Sequence, residues 1–274
     1  MIPIVFPEPG ALSANPPQRN TQGLPSNEEE LKQLTQRAEA GDASAQFDLA
    51  FFYSTYAEHK IAYFKENIPS GSPNMRAPYN FVEKDYFTEL VREERELAFA
   101  WYQRAAEQGL AEAIYELSIC YRRGEGTATF PDRAQELLLA AAEKGYAPAQ
   151  FDVGMQTYFG KEKGKESPVE IKPDYVASVK WLKKSAEQDY PLAQYYLGQC
   201  YENGWGVEKN YEEAFHLYKA AAESELLWAL CALGRCYENG LGVEADVDQA
   251  IEYYTQAADQ GDGEAFDALD RLEV

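Results

Sequence analysis

The sequence predicts an all-α protein in which antiparallel helix pairs stack as an α-solenoid and form a curved superhelix. The segment that begins at Cys200 is repeated, with few changes, from Cys236. Alanines that open successive copies, at Ala193, Ala229 and Ala265, lie 36 residues apart. No stretch alternates with a period of two for long, so we predict no strands. A repeat of this length is typical of arrays in which each copy is one supersecondary unit that buries its apolar face against the next.

The first helix of each copy is predicted from the pattern A-x-x-x-L-[AGS]-x-x-Y. Ala193, Leu197 and Tyr201 follow it, and spacings of four and eight place them on one helical face. Gly198, the small residue of the pattern, lets a neighbouring helix approach closely. The segment "ENGWGV" or "ENGLGV" comes next. Its Asn and Gly are typical of the left-handed cap that ends a helix.

The second helix of each copy opens with a small residue and repeats one seven positions later. Ala214 and Ala221 form such a pair, with the large Tyr218 between them. Large residues facing small ones allow helices to interlock at native packing density. We predict that these helices end at glycines, namely Gly109, Gly145 and Gly261.

The two ends of the chain differ from the repeats. Residues 1–27 are rich in Pro, Asn, Gln and Ser and predict an extended arm without a core. Ser26 or Asn27 is the predicted start of a capping helix, and the solenoid is predicted over 28–274. Whether the arm occupies the groove of its own chain stays open.

Two insertions lengthen the spacing between copies. The first, at about 54–95, predicts a protruding helical hairpin, and the second, at about 160–173, predicts a lysine-rich loop. The aromatic residues of the hairpin either pack on one another or form a partner surface. They are Tyr56, Tyr63, Phe64, Tyr79, Phe81, Tyr86 and Phe87.

Charge and cysteine content bound the classes of partner. A net charge of −21 argues against nucleic acid, because a nucleic-acid binder needs a cationic face. It also argues against anionic membrane surfaces, and it either favours a basic protein partner or serves solubility alone. We expect no membrane insertion, since no apolar run approaches bilayer length, and no secretory signal. Four cysteines without a CxxC motif indicate buried thiols in a reducing compartment, so we predict a cytoplasmic protein.

The stretches "LGQCYENGWGVEKNYEEAFHLYKAAAES" and "LGRCYENGLGVEADVDQAIEYYTQAADQG" resemble Sel1-like repeats, relatives of the tetratricopeptide class. The resemblance covers roughly residues 31–274. It implies that the first helices line a concave groove that binds a protein or peptide. The groove residues that it implies are Phe47, Phe51, Tyr115, Ile119, Arg122, Phe151, Met155, Tyr195, Gln199, Glu202, Trp228, Arg235 and Glu238. The alternative is that several of them pack against neighbouring copies.

The sequence offers little for catalysis. It has two histidines, His59 and His216, no HExxH motif and no GxSxG motif, so we expect no catalytic residues, metal site or cofactor. Some cysteine-rich proteins of the same repeat class are linked to β-lactam binding, but this chain lacks their paired cysteines. A hydrolase of the β-lactamase type is therefore the least favoured function.

Two non-catalytic functions stay open. The first is an adaptor that binds a protein or peptide in the groove, with the hairpin as a second contact. The second is an immunity protein that neutralises a co-encoded bacterial toxin, which the strong acidity and the compact repeat array would suit. The sequence does not decide between them, and it leaves the oligomeric state open.

Overall fold

The computed structural model describes residues 24–67, 87–160 and 172–272, and these residues form helices and turns without a strand. The predicted all-α class is confirmed. Most of the N-terminal arm, the tip of the hairpin and most of the lysine-rich loop lie outside the described residues. The predicted residues Tyr79, Phe81 and Tyr86 lie there, as do Lys161, Lys163 and Lys165 of the predicted lysine-rich loop.

The chain divides into two compact units. The N-terminal unit is Met1–Lys144. Each of its helices packs against the next one along the chain, as expected for stacked antiparallel pairs. The helices are α1 (Glu28–Glu39), α2 (Ala43–Asn67), α3 (Arg92–Glu107), α4 (Ala111–Arg123) and α5 (Pro131–Glu143).

The C-terminal unit is Gly145–Val274, and its helices also pack in chain order. Helices α6, α8, α10 and α12 are first helices of their copies, and α7, α9 and α11 are second helices. The helices are α6 (Ala147–Phe159), α7 (Tyr175–Ala186), α8 (Pro191–Asn203), α9 (Tyr211–Ala222), α10 (Leu227–Asn239), α11 (Val247–Asp259) and α12 (Gly263–Arg271).

The predicted glycine caps are present where helices end. Gly204 and Gly240 are left-handed C-caps with φ of 74° and 67°, a conformation that costs glycine little because it has no Cβ. The predicted ends at Gly109, Gly145 and Gly261 are confirmed, since these glycines follow α3, α5 and α11 with positive φ. After the second helices α7 and α9, for which no glycine end was predicted, Asp189 and Glu225 hold the equivalent position with φ of 58° and 55°.

The turn between the first and the second helix of a copy packs against the second helix of the preceding copy. A Cβ on Gly206 would lie far inside van der Waals contact with the backbone carbonyl of Tyr175, the first residue of α7. Gly242 stands in the same relation to the carbonyl of Tyr211 at the start of α9. The second glycine of the turn therefore permits one copy to stack on the one before it.

The predicted packing of large residues against small ones is seen inside the copies. Tyr218 of α9 is fully buried, and its ring occupies the space that a Cβ on Gly198 of α8 would fill. Tyr254 packs against Gly234 in the same way one copy later. The small residue of the first-helix pattern is thus a socket for an aromatic ring of the second helix.

The ends of the array are capped by polar side chains. Asn27 precedes α1, and its side chain accepts a hydrogen bond from the backbone N–H of Glu30, so of the two predicted starts the structure uses Asn27. Asp262 caps α12 by accepting from the backbone N–H of Ala265 at 2.8 Å. Both caps satisfy backbone donors that a helix start would leave unpaired.

The first insertion continues a helix. α2 extends past Tyr53 to Asn67, and Lys60 pairs with Glu94 of the neighbouring helix at 2.7 Å in a half-buried position. On the other side of the insertion, the residues before α3 are interrupted by a turn at the buried Val91. The residues on this side of the insertion therefore do not form one continuous helix with α3.

The described aromatic residues of the hairpin differ in exposure. Tyr56 stacks on Phe52, and Phe87 is buried. Tyr63 and Phe64 meet edge to face at 5.9 Å, and Tyr63 keeps 57% of its surface exposed. Of these side chains, Tyr63 offers the largest accessible surface.

Candidate functional site

The C-terminal unit contains a groove of about 730 Å³ lined by its first helices and by the turn after α8. Tyr195 and Gln199 of α8 face it together with Trp228 and Arg235 of α10. The N-terminus of α12 closes one end with Asp262. The groove therefore runs across successive copies, where the repeat period brings equivalent helix positions side by side.

One wall of the groove is a cluster of aromatic rings. Tyr175 and Trp205 stack with centroids 5.2 Å apart and an interplanar angle of 16°. Tyr158 meets both of them edge-on, and it meets Tyr196 of α8 in the same manner. These arrangements are the favoured geometries of aromatic pairs, so the wall is rigidly packed.

A second aromatic pair lies further along the groove. Tyr195 contacts Trp228 with centroids 5.9 Å apart. Trp228 is in the first turn of α10 and keeps 44% of its surface exposed. A large, exposed indole beside an ordered ring is the kind of anchor that dominates binding energy at protein interfaces.

Hydrogen bonds hold the floor of the groove in one arrangement. The Tyr158 hydroxyl donates to Gln199 Oε1 at 3.0 Å, and Gln199 Nε2 donates to the Tyr195 hydroxyl at 2.9 Å. Burial raises the pKa of Tyr195 to about 12, so this hydroxyl keeps its proton at neutral pH. The floor is thus preorganised and neutral.

Hydrogen bonds made by Glu202 and Glu238 recur with the period of the repeat beside the groove, and we call them the polar ladder. Glu202 accepts from the Tyr218 hydroxyl at 2.6 Å and from the guanidinium of Arg235 at 2.8 Å. Glu238 does the same for Tyr254 and for Arg271 of the next copy, at 2.7 Å and 2.8 Å. Each step joins a second helix to two successive first helices.

The ladder also sets the electrostatics of the groove. Burial and the Glu202 carboxylate raise the pKa of the Tyr218 hydroxyl well above its ordinary range, so the phenol donates and the carboxylate accepts. The carboxylate balances the charge of Arg235. A second cavity of about 350 Å³ adjoins the groove, with Glu238 and Arg271 among its lining residues.

The structure brings together four of the predicted groove residues: Tyr195, Gln199, Trp228 and Arg235. Glu238 lines the adjoining cavity, and Glu202 lies behind Arg235 in the ladder. Met155 is half-buried and packs against the core of the C-terminal unit.

The predicted residues with buried side chains serve packing inside their own units. Phe47 packs against Tyr102 of α3, Tyr115 is buried in α4, and Phe151 packs against Tyr190. We therefore leave Phe47, Tyr115 and Phe151 out of the proposed contact surface, because little of their surface is accessible.

The other predicted residues of the N-terminal unit are more accessible. Phe51 stacks on Phe47 at 6.4 Å and is half-buried. Ile119 is also half-buried, whereas Arg122 is exposed. Their role in binding stays a prediction.

Several groove residues were not predicted. Tyr158 follows its opening alanine, Ala149, by nine positions, as Glu202 follows Ala193, so the position that the family resemblance implied for Glu202 could have identified it. Trp205 stands in the turn where the next copy has Leu241; this departure between copies was the available signal. Nothing in the pattern marked Tyr175.

The thiol in the groove is not poised for chemistry. Cys231 lines the groove, and burial, with the nearby Asp262 and Glu264 carboxylates, raises its pKa to about 12. A thiol in that state is a poor nucleophile at neutral pH. Within the described ranges, no group of three or more His, Cys, Asp or Glu side chains is placed to hold a metal ion.

Comparison with known families decides the class of the protein. The Sel1 repeat model matches residues 86–110, 111–146, 147–190, 191–225 and 229–262. The chain belongs to the Sel1-repeat family. Its matched segments follow the helix pairs described above, from the second helix of the first copy to the turn before α12. The Sel1-repeat fold is typically a non-catalytic scaffold for protein interactions.

Known proteins resemble parts of this Sel1-repeat chain. An uncharacterised protein of Neisseria meningitidis is 30% identical over 181 residues, which are 65% of this chain and 35% of that protein. A chitin synthase regulator of Saccharomyces cerevisiae is 31% identical over 114 residues, 40% of this chain and 16% of the regulator. The chain thus spans about a third or less of these curated relatives.

Solved structures share the Sel1-repeat fold. A Sel1 repeat protein from Oxalobacter formigenes has a TM-score of 0.60 at 24% identity, covering 88% of this chain and 80% of that one. A protective antigen of uropathogenic Escherichia coli has a TM-score of 0.55 at 25% identity, covering 86% and 50%. Both support the α-solenoid class. Across the described residues, each helix is too short or too polar to cross a bilayer.

Proposed function

We propose that this Sel1-repeat protein is a non-catalytic interaction module that holds a protein or peptide partner in the groove of its C-terminal unit. Sel1-repeat proteins bind protein partners. The observation that carries the proposal is the exposed Trp228 beside Tyr195, over a floor that internal hydrogen bonds already fix. A preorganised aromatic groove loses little side-chain entropy when a ligand enters.

The predicted role of the hairpin as a second contact belongs to the same proposal. Tyr63 is its most exposed described aromatic residue, and tyrosine is enriched in interface hot spots. We place it after the groove in importance because the insertion continues beyond α2 into residues that lie outside the described ranges.

Replacing Trp228 with alanine tests the role of the groove. We expect the yield of the specific partner, captured from a lysate of the native host and quantified by mass spectrometry, to fall at least about tenfold, because loss of a central indole removes a hot spot. The side chain is largely outside the core, so helical circular dichroism and the unfolding midpoint should change little.

Phe266→Ala is the matched control. Phe266 is in α12 of the same unit and is 53% exposed, but it lines neither the groove nor the adjoining cavity. We expect this variant to capture the partner at the level of the unaltered protein. Equal capture by both variants would remove the groove from the proposal.

The alternative of an immunity protein is supported by one observation, the net charge of −21, which suits a basic toxin domain through long-range attraction. The identity of the captured partner separates the two functions. A basic toxin domain encoded beside this protein would select immunity, and any other partner would select an adaptor. That the protein works in the cytoplasm stays a prediction from its cysteine usage.

A further inference from the structure

We propose that the ligand of this groove is a proline-rich segment of another polypeptide, bound as a polyproline II helix with a basic residue beside the prolines. The inference rests on the proposed function and names the chemistry of its partner. Three features of the groove support the inference: its hydrogen-bond donors, its paired aromatic rings, and the carboxylates at the start of α12.

The groove is lined by side chains that carry hydrogen-bond donors and are partly exposed. They supply the indole N–H groups of Trp205 and Trp228 and the hydroxyls of Tyr175 and Tyr196. The Tyr195 hydroxyl accepts from Gln199 and retains its own proton for donation. A ligand that matches this groove therefore brings acceptors.

Polyproline II backbone has this character. Its carbonyl groups make no internal hydrogen bonds, so they are available to indole and phenol donors. Proline has no N–H, so few backbone groups of a proline-rich segment need a hydrogen-bond acceptor on the protein. A helical ligand satisfies most of its carbonyls internally, and an extended strand brings N–H groups that this groove cannot match as well.

The aromatic side chains of the groove form one connected surface with two ring pairs. The stacked pair of Tyr175 and Trp205 is one, and the pair of Tyr195 and Trp228 is the other. Tyr158 and Tyr196 link them. Trp205 and Trp228 remain 36% and 44% exposed. An aromatic-lined groove is the surface on which proline-rich segments dock in polyproline recognition.

The carboxylates at the start of α12 favour a basic residue beside the prolines of the ligand. Asp262 and Glu264 both line the groove there, whereas the charge of Arg235 is balanced by Glu202. Neither Asp262 nor Glu264 has an ion-pair partner among the described side chains. A lysine or arginine beside the prolines would therefore find two carboxylates that form no salt bridge with the described side chains.

Fluorescence anisotropy of labelled synthetic peptides with the full chain tests the inference. The probe is a hexaproline peptide ending in two arginines. We expect saturable binding that weakens at least about tenfold when every proline is replaced by alanine, and several-fold when both arginines become glutamates. Equal binding of the alanine peptide, or no binding of the proline peptide, would overturn the inference.

Variants of the protein locate the binding. Trp228→Ala should lower the affinity for the proline peptide at least about tenfold, and Phe266→Ala should leave that affinity within about twofold. Glu264→Lys should lower the affinity for the peptide that ends in arginines. It should leave the affinity for a hexaproline without arginines unchanged. An effect of Glu264→Lys that is equal for both peptides would contradict the proposed basic flank.

The inference and the proposed function fail in distinguishable ways. If no proline peptide binds but capture of the cellular partner still depends on Trp228, the groove binds a partner of another chemistry. In that case preferential binding of an amphipathic helical peptide would identify the replacement. If capture does not depend on Trp228 either, both proposals fail together.

Discussion

Replacing Gly206 with alanine is expected to lower the free energy of unfolding by about 3 kcal/mol. Two costs add. Gly206 has a φ of 69°, where an alanine is strained. Its new Cβ would also collide with the backbone carbonyl of Tyr175, which cannot rotate away as a flexible side chain could. Urea unfolding of the full chain, followed by circular dichroism, measures the loss.

Gly204→Ala separates the two costs. Gly204 has a similar φ of 74°, but the nearest atom to its added Cβ is Lys209 Cβ at 3.4 Å, which is ordinary contact. We expect a loss of about 1 kcal/mol from backbone strain alone. If the two variants were equally stable, the contact between the turn and α7 would not be the element that stacks these copies.

Truncating Tyr218 to alanine is expected to cost about 4 kcal/mol of stability. The ring is fully buried between α8 and α9, and its removal leaves a cavity against Gly198 that the backbone cannot fill by collapse. The hydroxyl also donates to Glu202, so the same change leaves one step of the ladder without its donor. Urea unfolding followed by tryptophan fluorescence provides the measurement.

Two further tyrosine variants apportion that loss. Tyr218→Phe keeps the ring and removes the hydrogen bond to Glu202, which should cost about 1 kcal/mol. Tyr211→Ala removes an exposed tyrosine from the same helix and should cost less than about 1 kcal/mol. A Tyr218→Ala variant no less stable than Tyr211→Ala would contradict the packing of the Tyr218 ring against Gly198.

The repeat pattern predicted the fold well because each of its signals has a local cause. Small residues such as Gly198 are needed where a ring enters, and Gly204 is needed where the backbone turns left-handed. Asp189 and Glu225 show the limit of such rules, since residues other than glycine also occupy positive φ after helices. The surrounding packing holds them there, and a single sequence does not reveal it.

The candidate site was predicted in part. The groove positions implied by the family resemblance include Tyr195, Gln199 and Arg235, and the structure brings these three together. The same resemblance also selected Phe47 and Tyr115, whose side chains are buried. A period identifies a helix face but does not say whether a neighbouring helix covers it, and that depends on contacts between elements distant in sequence.

Tryptophan resonances test the central claim, that the partner enters the groove of the C-terminal unit. The chain has four tryptophans. Trp205 and Trp228 line the groove, whereas Trp101 is buried in α3 and Trp181 lies on α7 beneath the Lys184 ammonium. Fluorine NMR of protein labelled with fluorotryptophan follows all four at once as the captured partner is added. We predict shifts of the Trp205 and Trp228 resonances with Trp101 and Trp181 unmoved; shifts confined to Trp101 or Trp181 would contradict the account.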